Sequence, residues 1–202
     1  MPPNLFIPPV YRRRPLVCAV AVLLLVGTLV DHLRGGRQSD DYTRYHDRVF
    51  TVVNVLDGDT FDLDLADGRH ATTRIRLWGV DTPEVAGSQA SAMHYGVEAS
   101  VFAKGTLAGR SVRIELSPTR TRDRYGRLLA YVYLLTGGES FNELLLENGY
   151  AYADGRFEHP LANRYQAAET RARRRGVGLW AKVKFDDLPA WRQRMEKAFE
   201  SR

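Results

Sequence analysis

Hydrophobic and polar residues change rhythm several times along the chain, and each change predicts an element. The first stretch, Leu16 to Val30, is apolar with no amphipathic period, and counting on to Leu33 brings it to eighteen residues. From Arg34 to His46 nothing alternates, and Gly, Arg, Asp and Ser predominate, as in a solvated stem. Val49–Leu56 is rich in β-branched residues and runs into Asp57-Gly58, a strand ending in a turn signal. Thr60–Leu65 alternates, with Phe61, Leu63 and Leu65 on one face and Thr60, Asp62 and Asp64 on the other. Asp67-Gly68 is a hairpin-type turn, and Thr72–Val80 reads as a third strand. Its Ile75 and Leu77 point one way and Arg74, Arg76 and Trp78 the other. Helical spacing predicts a helix over 91–107 with Val97, Val101 and Phe102 as its apolar stripe and Gly109 beyond its end. Ser111–Leu116 and Leu128–Leu135 complete the strands. Phe141–Asn148 is a short helix stopped by Gly149, and a longer one starts after Pro160 and ends near Gly176. Asp186–Arg202 predicts a terminal helix, with Pro189 in its first turn and Trp191, Met195 and Phe199 as a packing face. Five short strands and three helices predict a mainly β (α+β) domain over 48–181, a small barrel packed on helices, followed by a helical tail over 182–202.

Composition changes this picture little. The 202 residues suffice for one domain plus appendages, and the formal charge of +5 favours an anionic partner only weakly. Cys18, the single cysteine, lies in the N-terminal apolar stretch, so the folded part holds neither an internal disulfide nor a zinc-cysteine cluster. The N-terminus matters more. Arg12, Arg13 and Arg14 in a basic segment (1–15) precede the apolar run, and Asp31, His32 and Arg34 end it. Residues 16–33 are long enough for a transmembrane anchor and lack the Ala-x-Ala-like pattern of a cleaved signal. The expected protein is a single-pass membrane protein with a stem over 34–47. Its domain lies outside the cytoplasm, because the N-terminal arginines favour the inside. Secretion after signal cleavage is the alternative.

Three clusters carry candidate chemistry. In Asp57-Gly58-Asp59-Thr60, Asp59 shares the phase of Phe61 and Leu63, so its carboxylate points with the core-facing set and needs a partner such as a cation. A calcium-binding helix-loop-helix is excluded, since Phe61 and Asp62 stand where that loop needs an oxygen ligand and a glycine. In Arg76-Leu77-Trp78-Gly79-Val80-Asp81-Thr82-Pro83-Glu84, the acids fall where the strand ends, because Thr82 precedes proline. A helix cap explains them poorly, since helical spacing begins only several residues later. Arg76, Asp81 and Glu84 can together gather a hard cation and a phosphate. The third cluster, Asp123-Arg124-Tyr125-Gly126-Arg127, would by itself be a charged turn before a strand.

Taken in order, these motifs resemble the staphylococcal-nuclease-like (thermonuclease) family. The resemblance continues through Tyr95-Gly96-Val97-Glu98-Ala99-Ser100, Asn142-Glu143-Leu144 and Gly178-Leu179-Trp180, and covers about two-thirds of the chain. It implies an OB-fold five-stranded barrel with three helices. The implied activity is calcium-dependent endonucleolytic hydrolysis of DNA and RNA with little base preference, leaving 3′-phosphate ends. Carried over by position, Asp59, Asp81 and the Thr82 carbonyl look like ligands of one Ca²⁺, with Asp57 a supporting acid. Glu84 matches the residue that positions or deprotonates the attacking water, and Arg76 and Arg127 match phosphate-binding arginines. Tyr125, Tyr150, Tyr152 and Phe157 are candidate substrate contacts, although the chain departs from the family's tyrosine-bearing loop after Gly149.

The residue types suit that chemistry independently. Asp59 and Asp81 offer hard oxygen, which Ca²⁺ prefers. Arginine can clamp a phosphate with two parallel hydrogen bonds. Glu84 can act as a positioned base. The reading from another class is an OB-type platform, tethered to a membrane, that holds a nucleic-acid strand without cutting it. Retention of all the acids and both arginines favours the enzyme.

Overall fold

The structure, a computed structural model, describes residues 40–86, 93–118 and 120–200. The basic segment, the expected anchor or signal at 16–33 and most of the stem lie outside the described residues. Among the described residues no helix is long and apolar enough to cross a membrane.

From Tyr42 onward the chain forms one unit built on a closed barrel. Strand β1 (Arg48–Val55) pairs antiparallel with β2 (Thr60–Leu63), and β2 pairs antiparallel with β3 (Thr73–Leu77). Strand β3 lies parallel to β6 (Leu128–Leu134), which pairs antiparallel with β5 (Ser111–Leu116). Strand β5 returns to β1 and closes the ring. This is an OB-like barrel, and closure leaves no sheet edge exposed. Alternation sets its inside. Phe61, Leu63, Ile75, Val112, Ile114 and Leu128 are each 0% exposed and fill the interior.

The expected strand 72–80 is in fact two. Strand β3 ends at Leu77, the chain turns at Trp78-Gly79, and β4 (Val80–Asp81) leaves the barrel to pair with β7 (Tyr152–Ala153). Gly79 makes the break, with φ of +78° and the ring of His159 so near that a Cβ would stand 2.5 Å from it. The separation carries Asp81 off the barrel wall and toward the site.

Helix α1 (Gly96–Leu107) reverses the expected stripe. It buries Gly96, Ala99, Ser100, Ala103 and Leu107, whereas Val97 and Val101 are 59% and 63% exposed. Small side chains let the helix lie close to its neighbours, and bulky residues fit only on the outer side. Phe102 of the predicted set does pack inward, stacking on Tyr150 with ring centroids 4.3 Å apart.

The expected stem also ends earlier. Residues 42–45 are helical, and Tyr45 is fully buried, its hydroxyl 3.0 Å from the Thr73 hydroxyl. The signal there is Tyr42, Tyr45 and His46 at helical spacing, which a search for strand alternation passes over.

Helix α2 (Phe141–Glu147) is capped by the Ser140 hydroxyl, which accepts from the Glu143 amide at 3.4 Å. Its Asn142 is a buried latch. Oδ1 accepts from the Val132 amide at 3.0 Å, and Nδ2 donates to the Trp78 carbonyl at 3.0 Å, tying β6 to the turn after β3. Helix α3 (Ala162–Arg175) ends at Gly176 in the left-handed region.

The predicted terminal helix is shorter than 186–202. A 3₁₀ turn at Phe185–Asp187 precedes Pro189, and α4 covers Ala190–Glu200. Leu188 and Trp191 join Tyr152 and Leu179 in a second apolar cluster, while Met195 is 39% exposed and the Phe199 side chain lies outside the description. The neighbouring Arg192 is buried and ion-paired to buried Glu169 of α3, whose carboxylate also accepts from the Ala153 amide at 2.6 Å. This end of the chain is therefore fastened to the elements beside the site.

Asn142→Leu keeps the branched shape but strands buried backbone groups of two elements. It is expected to cost about 2–4 kcal/mol in urea unfolding, on the usual penalty for unpaired buried polar groups. A loss below about 0.5 kcal/mol would show that the latch is redundant.

Candidate active site

Two turns bring the acids together. In the first, Asp57 Oδ1 accepts from the Asp59 amide at 3.0 Å, and Gly58 packs on Thr82 so closely that a Cβ would lie 2.7 Å from its side chain. In the second, Thr82 gives both its amide (2.8 Å) and its hydroxyl (3.0 Å) to Asp59 Oδ2. Thr60 adds its hydroxyl to Asp59 Oδ1 at 3.0 Å. Asp59 is thus buried at 6% exposure but well supplied with donors. The register of β2 on β3, Thr60 opposite Arg76, sets the arginine beside it.

Arg76 lies across both acids. Its Nη1 is 2.8 Å from Asp59 Oδ2, its Nη2 pairs with Asp81 Oδ1, and Nη1 also donates to the Val80 carbonyl at 2.9 Å. Burial works against its charge, but Asp59, Asp81 and Asp57 outweigh burial and raise its pKa. The acids are pushed the other way. Burial, then the charge of Asp59, pushes the Asp57 carboxyl up to about 7. Burial also raises Asp81, against the pull of Arg76, and raises Glu84, with Asp59 and Asp81 adding to it. Desolvated carboxylates that repel one another favour a counter-cation.

The donor set fits a hard divalent ion. Asp59, Asp81 and the Thr82 carbonyl present oxygen only, as Ca²⁺ requires, with remaining positions suited to water. Among the described residues no three His, Cys, Asp or Glu side chains form a metal cage on their own.

Glu84 is exposed at the edge of the acids, and its carbonyl accepts from the Met93 amide at 2.9 Å. Gly96, the first residue of α1, abuts that carbonyl, and a Cβ there would come within 2.3 Å of it. The Tyr95-Gly96 motif thus seats the Glu84 segment.

Arg127 reaches the site from the turn before β6. Asp123 builds that turn, accepting from the amides of Tyr125 (2.9 Å) and Arg127 (3.0 Å), and its Oδ2 holds Arg127 Nε at 2.7 Å. The parallel pairing of β3 with β6 places this turn near Arg76. Both arginines line a cleft of about 390 Å³ with Arg120, Arg124 and Arg156 and the rings of Trp78, Tyr125 and Phe157.

The structure thus brings Asp57, Asp59, Arg76, Asp81, Thr82, Glu84 and Arg127 to one region. It treats the four expected aromatic contacts unequally. Tyr125 is 68% exposed over the cleft, and Phe157 stacks on Trp78 with centroids 5.6 Å apart. Tyr150 instead stacks on Phe102 and Tyr95, and Tyr152 is fully buried between Trp180 and Trp191. Tyr152 is a packing residue, because β7 runs inward to pair with β4, and half-buried Tyr150 lies against the rings at and before α1. Sequence reading missed Arg156, which grips Asp154 at 2.7 Å and reaches Asp81 at 3.3 Å, and it missed Trp191, which donates to Asp81 at 2.8 Å. Trp78 was legible, since it shares the outward phase of Arg76.

A sequence model of the family described as "Staphylococcal nuclease homologue" matches residues 74–182, from Arg76 through Arg127 and beyond. The thermonuclease of Staphylococcus hyicus is 34% identical over 169 residues, covering 82% of this chain and 95% of its own length. The chain belongs to the staphylococcal nuclease family. The thermonuclease of Staphylococcus intermedius is likewise 34% identical, over 82% of this chain and 94% of its own length. A micrococcal nuclease of Shigella flexneri is 31% identical, over 73% of this chain and 82% of its own length.

Gly96→Ala should cost about 1–3 kcal/mol as an overpacked contact. It should shift the backbone amide signals of Glu84 and Val85 while leaving those of β5 in place. Unchanged signals at Glu84 would mean that Gly96 does not seat that segment.

Proposed function

We propose that this chain is a Ca²⁺-dependent endonuclease that hydrolyses phosphodiester bonds of DNA and RNA with low base preference and leaves 3′-phosphate ends. The observation that carries the proposal is the convergence of Asp59, Asp81, Glu84, Arg76 and Arg127 beside an arginine-rich cleft lined by exposed rings. Relatives named thermonuclease and micrococcal nuclease support it.

The cleft suits a nucleic-acid strand because guanidinium groups take the phosphates while Tyr125 and Phe157 offer faces that any base can stack on. Asp59, Asp81 and the Thr82 carbonyl would hold the Ca²⁺, which would supply Lewis-acid neutralisation of the phosphate, whose negative charge otherwise repels the nucleophile. Arg127, with Nε fixed by Asp123, presents its terminal nitrogens to phosphate oxygens. Such donors raise turnover if their bonds tighten as charge builds on those oxygens. Arg76 borders both the acids and the cleft, so it links the charge on the carboxylates to the charge on the substrate. Glu84 takes a proton from the attacking water as the new P–O bond forms and the bond to the 5′ oxygen breaks, the departing 5′ alkoxide taking its proton from solvent water. Its raised pKa brings it nearer to neutrality, where a base works best.

The full-length chain is expected to degrade plasmid and RNA with Ca²⁺ and to stop in excess chelator, and Asp59→Asn should lose activity and calcium binding together. Undiminished cleavage in chelator would overturn the metal assignment. Strand binding with no cleavage under any metal would leave only a binding platform.

Glu84→Gln and Arg127→Lys separate chemistry from binding. Each should fold normally and lose turnover by roughly 10²-fold, with a smaller change in KM. A solvated turn arginine would tolerate lysine, because charge is kept and only the fork is lost. Wild-type kinetics in Arg127→Lys would rule out the clamp.

We further propose that residues 16–33 anchor the protein in a membrane with the nuclease domain outside the cytoplasm, where Ca²⁺ is plentiful and the genome is out of reach. Protease added to intact cells should then digest the domain. Resistance until lysis would reverse the topology, and release of a shortened soluble form would identify a cleaved signal.

A further inference from the structure

Asp59 and Asp81 are secured in different ways. Asp59 takes hydrogen bonds from Thr60 beside it and from the amide and hydroxyl of Thr82, and it shares the Arg76 guanidinium with Asp81. Asp81 sits on a two-residue strand, and its Oδ1 faces the guanidinium groups of Arg76 and Arg156. Its Oδ2 is met from far along the chain, by the indole N–H of Trp191 on α4 at 2.8 Å.

That indole is itself immobilised. It is 8% exposed, stands edge-on to Tyr152 at 6.3 Å and carries the Arg156 guanidinium over its ring at 4.5 Å. Its neighbour Arg192 is locked to Glu169. A rigid donor on one carboxylate oxygen fixes the plane of the whole group, which is how outer partners tune metal-binding carboxylates. The match to the family model ends at residue 182, so Trp191 lies beyond it.

We propose that Trp191 is a positioning residue for the metal site, its N–H holding the Asp81 carboxylate in the orientation that binds Ca²⁺. The proposal rests on the assignment of Asp81 as a calcium ligand made above. Trp191 reaches the proposed ligand set through its hydrogen bond to Asp81. Its effect should therefore appear as metal affinity and not as lost chemistry.

The test is calorimetric titration of the full-length chain with CaCl₂, for wild type, for Trp191→Phe and for a variant carrying an isosteric benzothiophene in place of the indole. Both variants keep a ring against Tyr152 and Arg156, and both lack the donor. The expected result is a Ca²⁺ dissociation constant weakened by about tenfold or more. The half-saturating Ca²⁺ for cleavage should rise in parallel, with kcat restored at saturating Ca²⁺. Dissociation constants within twofold of wild type in both variants would overturn the positioning role while leaving the calcium reading intact. So would a fall in kcat that saturating Ca²⁺ does not restore. Absence of Ca²⁺ binding by the wild type would overturn the calcium assignment and this proposal with it.

Discussion

One buried guanidinium governs the arrangement of this protein. Arg76, its side chain only 13% exposed, lies between Asp59 and Asp81, and each of the three would be costly to bury without the others. Such a group adds little net stability, because desolvation consumes most of the attraction. Its effect is on specificity. The registers of β2 on β3 and of β4 on β7, the contact of Gly58 on Thr82 and the left-handed turn at Gly79 all bring these charges within reach of one another. The apolar barrel interior supplies the driving force and the charged triad narrows the ways in which it can be satisfied.

The same balance explains how a binding site and a folded core coexist. A cluster of acids with Arg76 as counter-charge can stay folded without metal, yet its raised carboxyl pKa values leave it poised to accept more positive charge. On the cleft side the excess reverses, because the arginines lining it outnumber Asp123 and Asp154. The acids and the arginine-lined cleft thus form adjoining surfaces of opposite sign, with Arg76 at the border.

How much of this could be read from the chain depended on how local the information was. The strands and the barrel were legible because alternation is a short-range signal, and the acids and arginines because their turns are written in consecutive residues. Where the reading failed, the deciding contact was remote. The face that α1 buries depends on how closely the helix approaches its neighbours, so Gly96, Ala99 and Ala103 face inward and the more hydrophobic valines face out. Tyr152 looked like a substrate contact until its pairing with Asp81 showed that β7 turns inward. Trp191 reads as one residue of a packing stripe, and only its distance from Asp81 distinguishes it.

The parallel contact of β3 with β6 reaches beyond geometry. The residues it unites, Arg76 and Arg127, are separated by two strands and a helix, and the latch that steadies the turn after β3, Asn142, comes later still. No stretch of nascent chain short of that point holds both arginines and the latch. During synthesis the proposed site is therefore incomplete until that point is reached. Its completion is deferred by topology, since the two arginines and the latch meet only in the closed barrel.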